Sequence, residues 1–278
     1  LRDYGGEDCQ IGQEESPEEY IQKLVEVFRE VRNNLTEDGT LWLNIGDSYY
    51  NYRPGKGQAL VKQTVSNSKQ DLPDKCARRG NKLDGLKEKD LIGIPWMLAF
   101  ALRADGWYLR QDIIWHKPNP MPESVRDRCT KSHEYLFLLS KNKRYYYDNE
   151  SIKEPAKDWG TRDRTNGKYH NKGTGLQPHS GLTKSYPTKN KRSVWSITNK
   201  PYKGAHFAVF PPDLIKPCIL AGSEKNDIIL DPFIGSGTTA LVAKELGRDY
   251  IGCELHEDYG KLIKNRISDA RGTLESFI

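Results

Sequence analysis

One nine-residue segment constrains the fold more than any other part of the chain. Residues 231–239 read Asp-Pro-Phe-Ile-Gly-Ser-Gly-Thr-Thr; a short apolar run at 228–230 precedes them, and residues 240–246 follow with helical apolar spacing. Glycines at 235 and 237 let backbone N–H groups approach a ligand, and the helix start favours an electron-rich group there. The pattern predicts strand, glycine loop and helix, which is half of a nucleotide-binding α/β domain.

A carboxylate follows at the end of the next predicted strand. Residues 250–253 form this strand and Glu254 comes directly after it. An acid in this place can accept hydrogen bonds from ribose hydroxyls. A dinucleotide site would need Gly-x-Gly-x-x-Gly and a P-loop would need Gly-Lys-Ser/Thr, and residues 231–239 contain neither. The loop therefore predicts a different nucleotide-like ligand.

The loop resembles the S-adenosyl-L-methionine loop of the amino-group DNA methyltransferases, which act on adenine N6 or cytosine N4. Further segments resemble the same family, namely residues 38–44, 93–96, 112–120, 133–137 and 206–211. Their order resembles the permuted, β-like class, in which the catalytic half comes first and the cofactor half last. The resemblance implies a Rossmann-like α/β methyltransferase fold with a mixed, mostly parallel sheet and a basic target-recognition insertion.

The resemblance also implies residues that contact S-adenosyl-L-methionine. These are Asp231, Phe233, Gly235, Gly237, Thr238 and Glu254, together with Phe210 on the adenine or methionine side. Asp231 is expected to receive the ammonium group of the cofactor, with Phe233 packed beside it. A plain core position is the alternative for the Phe233 ring.

For the pocket that receives the target base we expect Trp115 and Lys117, with Asp47 as an outside candidate. Each has an alternative role. Trp115 ends a predicted strand, where a tryptophan can serve packing; Lys117 can contact phosphate or be a solvated charge; Asp47 can cap a turn. The family implies that the base leaves the duplex stack. It also implies direct displacement of the methyl group from sulfonium to amine, without a covalent enzyme intermediate or a metal.

Positive charge is concentrated in two segments. The chain has a net charge of +5, yet residues 151–203 hold 12 Lys and Arg against 3 acids, and residues 51–90 hold 10 against 5. Such charge is typical of binding to a phosphate backbone, and a solvated basic loop is the alternative. We expect double-stranded DNA as the partner, contacted by Lys184, Lys189, Lys191 and Arg192.

The predicted division of the chain follows these segments. Residues 1–150 form the catalytic half with the basic loop 51–90, residues 151–203 form the target-recognition insertion, and residues 204–278 form the cofactor half. The remaining pattern predicts helices over residues 17–35, 94–102 and 214–220. It predicts strands at residues 40–45, 108–115, 135–139 and 194–197.

One expected piece is missing. The catalytic tetrapeptide of the family is Asp, Asn or Ser followed by Pro-Pro and an aromatic residue, and residues 1–130 contain none. We expect it upstream of Leu1 in a longer reading frame; an inactive relative is the alternative. Pro217-Cys218 is a dipeptide known from cytosine-C5 methyltransferases, but Cys218 falls within an apolar helical pattern and is predicted to be a buried structural cysteine.

Composition excludes other classes of protein. The five cysteines are scattered and lack metal-site spacing, so we expect neither disulfides nor a metal site. The sequence has no membrane-spanning run or signal pattern, which favours a cytoplasmic protein of a bacterium, archaeon or phage.

The predicted function is site-specific DNA methylation, with a lean to cytosine N4. A homodimer and a functionally linked restriction endonuclease are compatible with it. An RNA or small-molecule amine methyltransferase and an inactive DNA-binding relative are the alternatives.

Overall fold

The computed structural model describes residues 10–50, 83, 85–156, 187–199, 210–255, 259–260, 263–264 and 266–267. In this part of the chain, helices and strands follow one another in the order α1 (Pro17–Asn34), β1 (Thr40–Ile45), α2 (Ile94–Ala104), β2 (Tyr108–His116), β3 (His133–Ser140), β4 (Glu154–Pro155), β5 (Thr188–Lys189), β6 (Val194–Ser196), α3 (Pro212–Gly222), β7 (Ile228–Asp231), α4 (Thr238–Glu245) and β8 (Asp249–Gly252). Every helix and strand that we predicted is present, with ends shifted by a few residues.

The main sheet has the strand order β1-β3-β2-β6. Strand β3 lies antiparallel between β1 and β2, and β6 pairs parallel with β2. Consequently β1, β2 and β6 run in one direction and β3 alone opposes them, which confirms the predicted mixed sheet. Strands β7 and β8 form a second, parallel pair in which Asp231 lies opposite Gly252.

Helices cover both faces of the main sheet. Alternate side chains of a strand point to opposite faces, so each strand serves two cores. Leu43 of β1 and Phe137 of β3 pack with the buried faces of α1 and α2. Leu136 of β3 packs on the other face with Trp195 and with Leu214 of α3. The result is a helix–sheet–helix arrangement, as in other α/β domains.

The residues before α1 explain why this helix begins at Pro17. The Ser16 hydroxyl accepts a hydrogen bond from the Glu19 N–H at 3.2 Å, and Pro17 occupies the first helical position. Proline is tolerated there because its missing N–H would lack an intrahelical partner in any case. Five side chains of this helix are then buried against the sheet: Ile21, Leu24, Val25, Phe28 and Val31.

Two features were not predicted. The two-residue strands β4 and β5 pair antiparallel, Glu154 opposite Lys189, and both lie within the predicted basic insertion 151–203. Helical residues also occur at 259–260, 263–264 and 266–267. The two strands are too short to show a period in the sequence. In the described part of the chain, no helix combines the length and the apolar character needed to cross a bilayer.

Candidate cofactor and catalytic site

The glycine loop connects β7 to α4 in a conformation that requires its glycines. Gly235 has φ 51° and Gly237 has φ 78°, both in the left-handed region that favours glycine. Gly237 is also crowded, since an added Cβ would lie 2.9 Å from Cγ1 of Ile263. The Ile234 N–H donates to the Cys253 carbonyl at 3.1 Å, which ties the loop to the end of β8.

Asp231 ends β7 directly behind this loop. Its carboxylate accepts hydrogen bonds from the Phe233 N–H at 3.0 Å and from the Thr239 hydroxyl. Burial raises the pKa of Asp231, and the nearby charge of Glu254 raises it further, although the two hydrogen bonds act in the opposite sense. A partly buried carboxylate whose pKa is raised by desolvation is stabilised in its charged form by a cationic partner.

Glu254 and two exposed apolar side chains lie near Asp231. The parallel pairing of β7 with β8, and the 3.0 Å bond from the Cys253 N–H to the Asp231 carbonyl, bring Glu254 to the same edge. Phe233 is 49% exposed and Leu255 is 54% exposed. The Phe233 ring is therefore a surface ring, and it meets Phe28 of α1 edge to face with ring centroids 6.2 Å apart. Carboxylates beside exposed apolar groups suit a nucleoside with a charged tail.

Two predicted cofactor residues lie deeper. Thr238 is 2% exposed, and its hydroxyl accepts a hydrogen bond from Arg266 at 3.1 Å. Phe210 is partly buried and packs against the sheet-face cluster that contains Trp115 and Leu214. Leu255 was not predicted as a site residue; its exposed side chain directly after Glu254 makes it a further candidate.

A cleft of about 180 Å³ lies where β1 and β2 end and β3 begins. Asp47 and Lys117, two of the three residues predicted for the base pocket, both line it, together with Met121, His133, Glu134 and Asn199. The carboxyl ends of strands are where open α/β sheets hold their ligands. The structure thus brings two of the predicted side chains together.

Lys117 belongs to a polar network inside this cleft. Its ammonium forms an ion pair with Glu134 and lies 4.2 Å from the ring centroid of Trp115. Glu134 also accepts a hydrogen bond from the Asn44 side chain at 3.3 Å, and the same amide donates to the Tyr135 carbonyl at 2.9 Å. Glu134 and Asn44 were not predicted as site residues, although both fall in segments that resemble the family.

The other two base-pocket residues have clear structural roles. Trp115 is 3% exposed and its indole N–H donates to the Ile197 carbonyl at 2.9 Å. Asp47 accepts hydrogen bonds from the N–H groups of Gly93 at 3.0 Å and Ile94 at 3.1 Å, so it caps the start of α2. These are the packing and capping alternatives that the sequence left open, and direct contact with a base stays a prediction for both residues.

Two of the four predicted DNA-contacting residues, Lys189 and Arg192, share one acidic partner. Glu154 pairs with Arg192 at 2.7 Å and with Lys189 at 3.6 Å. Lys191 instead places its ammonium 4.9 Å from the ring centroid of Trp195. Lys184 lies outside the described residues. Charge is therefore partly balanced at the base of the basic insertion.

Two further predictions concern metals and cysteine. Among the described residues, no three His, Cys, Asp or Glu side chains converge as a metal site. Cys218 is buried in α3 and its thiol donates to the Leu214 carbonyl at 3.4 Å. Burial raises the pKa of this thiol far above its ordinary value. The prediction of a buried structural cysteine is confirmed, and a thiolate nucleophile has no support at this position.

A family model for N6/N4 methyltransferases, described as DNA methylase, matches residues 4–265. This chain belongs to the N6/N4 DNA methylase family. The predicted family is confirmed, and with it methyltransferase activity on DNA and S-adenosyl-L-methionine as the cofactor.

Several relatives of this DNA methylase are known. The Type II methyltransferase M.SmaI of Serratia marcescens is 50% identical over 267 residues, which cover 96% of this chain and 80% of that protein. M.Cfr9I of Citrobacter freundii is 45% identical over 273 residues, covering 96% and 77%. Both identities extend over nearly the whole chain and support the same family.

Solved structures share the fold. The cytosine-N4-specific PvuII DNA methyltransferase matches with a TM-score of 0.61 and 16% identity, over 97% of this chain and 81% of that one. The Thermus thermophilus protein TTHA0409, solved with S-adenosyl-L-methionine, matches with a TM-score of 0.57 and 21% identity, over 95% of this chain and 83% of that one. The predicted Rossmann-like α/β methyltransferase fold is confirmed.

Proposed function

We propose that this DNA methylase transfers the methyl group of S-adenosyl-L-methionine to N4 of cytosine within a specific duplex sequence. The observation that carries the proposal is the glycine loop, bordered by Asp231 and Glu254, in a chain whose other sheet ends in a polar cleft. The choice of cytosine N4 has two supports. The family segments resemble cytosine-N4 enzymes, and the PvuII enzyme with this fold is cytosine-N4-specific.

In this proposal each cofactor group has a matching partner. Asp231 receives the ammonium group, because a cation relieves the cost of desolvating its partly buried carboxylate. Glu254 accepts hydrogen bonds from the ribose hydroxyls. Phe233 packs beside the ammonium end of the cofactor, and Leu255, directly after Glu254, supplies exposed apolar surface for the adenine ring. Gly235 and Gly237 keep the loop backbone open to the ligand, and the buried Thr238 supports the loop from the interior. Phe210, which packs with Trp115 and Leu214, is proposed for the adenine or methionine side.

The base enters the cleft at the ends of β1 and β2. Ile45, two residues before Asp47, and Leu230, directly before Asp231, pack against the same hydrophobic cluster, which supports a common site. Lys117 has three ammonium donors and Glu134 orients them, so donors are left for a base edge or a phosphate. Asp47 holds the cleft wall by capping α2, and Trp115 underlies Lys117.

Catalysis here rests on positioning. When bound, the cofactor supplies a sulfonium-activated methyl group; the new N–CH₃ bond forms as the S–CH₃ bond breaks, and the amine then loses a proton. The exocyclic amine is a weak nucleophile, so the protein must hold it in line with the methyl group and exclude competing water. The side chains around Asp231 fix the donor, and those around Lys117 fix the base.

The same proposal covers the organisation of the protein. Residues 1–150 act as the catalytic half, residues 151–203 read the target sequence, and residues 204–278 hold the cofactor, in the permuted order. Since the relatives M.SmaI and M.Cfr9I are Type II methyltransferases, we propose a restriction endonuclease of the same target sequence as the functional partner. A cytoplasmic location and a homodimer complete the proposal; sedimentation of the purified protein tests the dimer.

Transfer of labelled methyl from S-adenosyl-L-methionine to unmethylated genomic DNA, followed by nucleoside mass spectrometry, tests the function. N4-methylcytosine is the expected product. N6-methyladenine would overturn the choice of base but keep the family. Cofactor binding without transfer to DNA would favour the RNA or small-molecule amine alternatives, or an inactive relative, and parallel assays on RNA would separate these.

A further inference from the structure

Arg266, one of the helical residues after β8, contacts the glycine loop at residues 231–239, which is called the cofactor loop from here on. Arg266 directs one guanidinium nitrogen, Nη1, at three acceptors of this loop. It lies 3.1 Å from the Ser236 carbonyl, 3.2 Å from the Ser236 hydroxyl and 3.1 Å from the Thr238 hydroxyl. These are charge-assisted hydrogen bonds, and two of the acceptors belong to buried side chains, since Ser236 is 3% and Thr238 2% exposed.

Ser236 is the residue at which such an anchor has most effect. It stands between Gly235 and Gly237, both of which adopt left-handed φ angles. Glycine has more conformational freedom to lose than any other residue, so a loop with two glycines is costly to fix in one conformation. An anchor on the residue between them restricts both neighbours before a ligand arrives.

Ile263, from the same helical segment, supports this arrangement. Its side chain lies 2.9 Å from the position of an added Cβ at Gly237, so it fills the space behind that glycine. Ile263 also belongs to a buried cluster with Ile234 of the loop and with Ala240 of α4. The loop is thereby held by apolar packing at Gly237 and by Arg266 on either side of it.

We propose that Arg266 is a positioning residue for S-adenosyl-L-methionine: it preorganises the loop at Ser236 and Thr238 without touching the cofactor. The inference rests on the proposed use of this loop as the cofactor site. Preorganisation raises affinity by removing an ordering cost from the binding step. The positive charge of Arg266 also lies beside the N-terminus of α4, so both favour the carboxylate of the cofactor.

Calorimetric titration of the full chain with S-adenosyl-L-methionine and with S-adenosyl-L-homocysteine tests this role. For Arg266→Ala we expect both affinities to fall about 10-fold to 100-fold, the range for lost charge-assisted hydrogen bonds. The affinities for both ligands should fall by the same factor, because Arg266 acts on the loop and not on the sulfonium. Arg266→Lys should recover part of the loss, since an ammonium can reach some of the same acceptors. Lys264→Ala, at an exposed position of the same segment, is the matched control and should bind like the wild type.

Steady-state kinetics separate positioning from general structural support. The expected result for Arg266→Ala is a raised KM for S-adenosyl-L-methionine with nearly unchanged kcat at saturation and unchanged KM for DNA. Equal cofactor affinity in wild type and Arg266→Ala would overturn the proposal, as would a parallel loss of kcat, DNA binding and thermal stability. If Arg266→Ala does not fold, Ser236→Ala and Arg266→Lys give the same comparison. A wild-type chain that fails to bind either ligand would instead contradict the proposed cofactor site.

Discussion

The carboxylate of Asp231 should make the affinity for S-adenosyl-L-methionine depend on pH. Burial, with Glu254 adding to it, raises the pKa of Asp231, so protonation begins above the pH of about 3.9 at which an ordinary aspartate titrates. A protonated Asp231 cannot attract the cofactor ammonium, and a bound cation lowers its pKa again. Affinity for S-adenosyl-L-methionine should therefore fall as the pH is lowered through the raised pKa, and stay level above it.

Asp231→Asn should bind the cofactor about 10-fold to 100-fold more weakly at neutral pH, as expected for a lost charge-assisted contact. It should also lose the pH dependence in the acidic range. Titration calorimetry from pH 4 to 7 measures both effects. Glu245→Gln, an exposed acid at the end of α4, is the control and should keep the wild-type profile. An unchanged profile in Asp231→Asn would show that another group titrates.

Lys117 and Glu134 form the second test at the residue scale. Lys117→Met removes the ammonium from the cleft, and we expect kcat/KM for DNA to fall at least about 10-fold while cofactor affinity stays the same. Glu134→Gln keeps the shape but loosens the lysine, so its effect should be smaller. The pair is partly exposed, so stability should change by about 1 kcal/mol or less. Lys143→Met, at an exposed position beyond the opposite end of β3, is the control and should act like the wild type. If Lys117→Met were as active as the wild type, Lys117 would not belong to the site.

At the scale of elements, periodic apolar patterns predicted α1, β1 and α2 well, because the regularly spaced apolar residues of each element are buried in one hydrophobic cluster. The roles of single side chains were less predictable. Asp47 and Trp115 lie at strand ends whether they contact a base or serve the fold. Only the structure shows that Asp47 caps α2 and that Trp115 is buried against Ile197. Arg266 could not be found from the sequence, because it lies 27 positions after Thr239 and no motif connects them.

A comparison of Gly237, in the glycine loop, with Gly247, which follows α4, separates the cost of backbone strain from the cost of crowding. Gly237 and Gly247 have similar φ angles, 78° and 74°, but an added Cβ at Gly237 meets Ile263 whereas one at Gly247 meets nothing within 4 Å. Gly247→Ala should lose only the strain energy, about 1 kcal/mol. Gly237→Ala should lose about 1–3 kcal/mol more through overpacking, and cofactor affinity as well. Urea unfolding with and without the cofactor measures both; equal losses would mean that Ile263 moves aside freely.

At the scale of the whole molecule, α1 connects the two parts of the proposed site. Phe28, 3% exposed within the core of the main sheet, meets the exposed ring of Phe233 in the cofactor loop. Leu230 of β7 packs against the same core. Helix α1 thus supports the loop that follows β7, so the residues that we propose as the catalytic half and those that we propose as the cofactor half pack against each other.

Charge distribution gives the last prediction. Lys189, Lys191 and Arg192 lie at the base of a segment that carries a net +9 over residues 151–203, and they should contact phosphates. Replacing all three by glutamine should weaken DNA binding and reduce the slope of log affinity against log salt by up to about 0.9 per lost contact, or about 2.7 in total. Glu154 already neutralises part of this charge, so the observed change should be smaller than that limit. Fluorescence anisotropy with cognate and unrelated duplexes over a range of salt concentrations measures the slope.

Lys225→Gln, at the exposed start of the turn before β7, is the control. A wild-type slope in the triple variant would move the DNA contacts away from this segment, and an altered cofactor affinity would show that the substitutions disturb more than the interface.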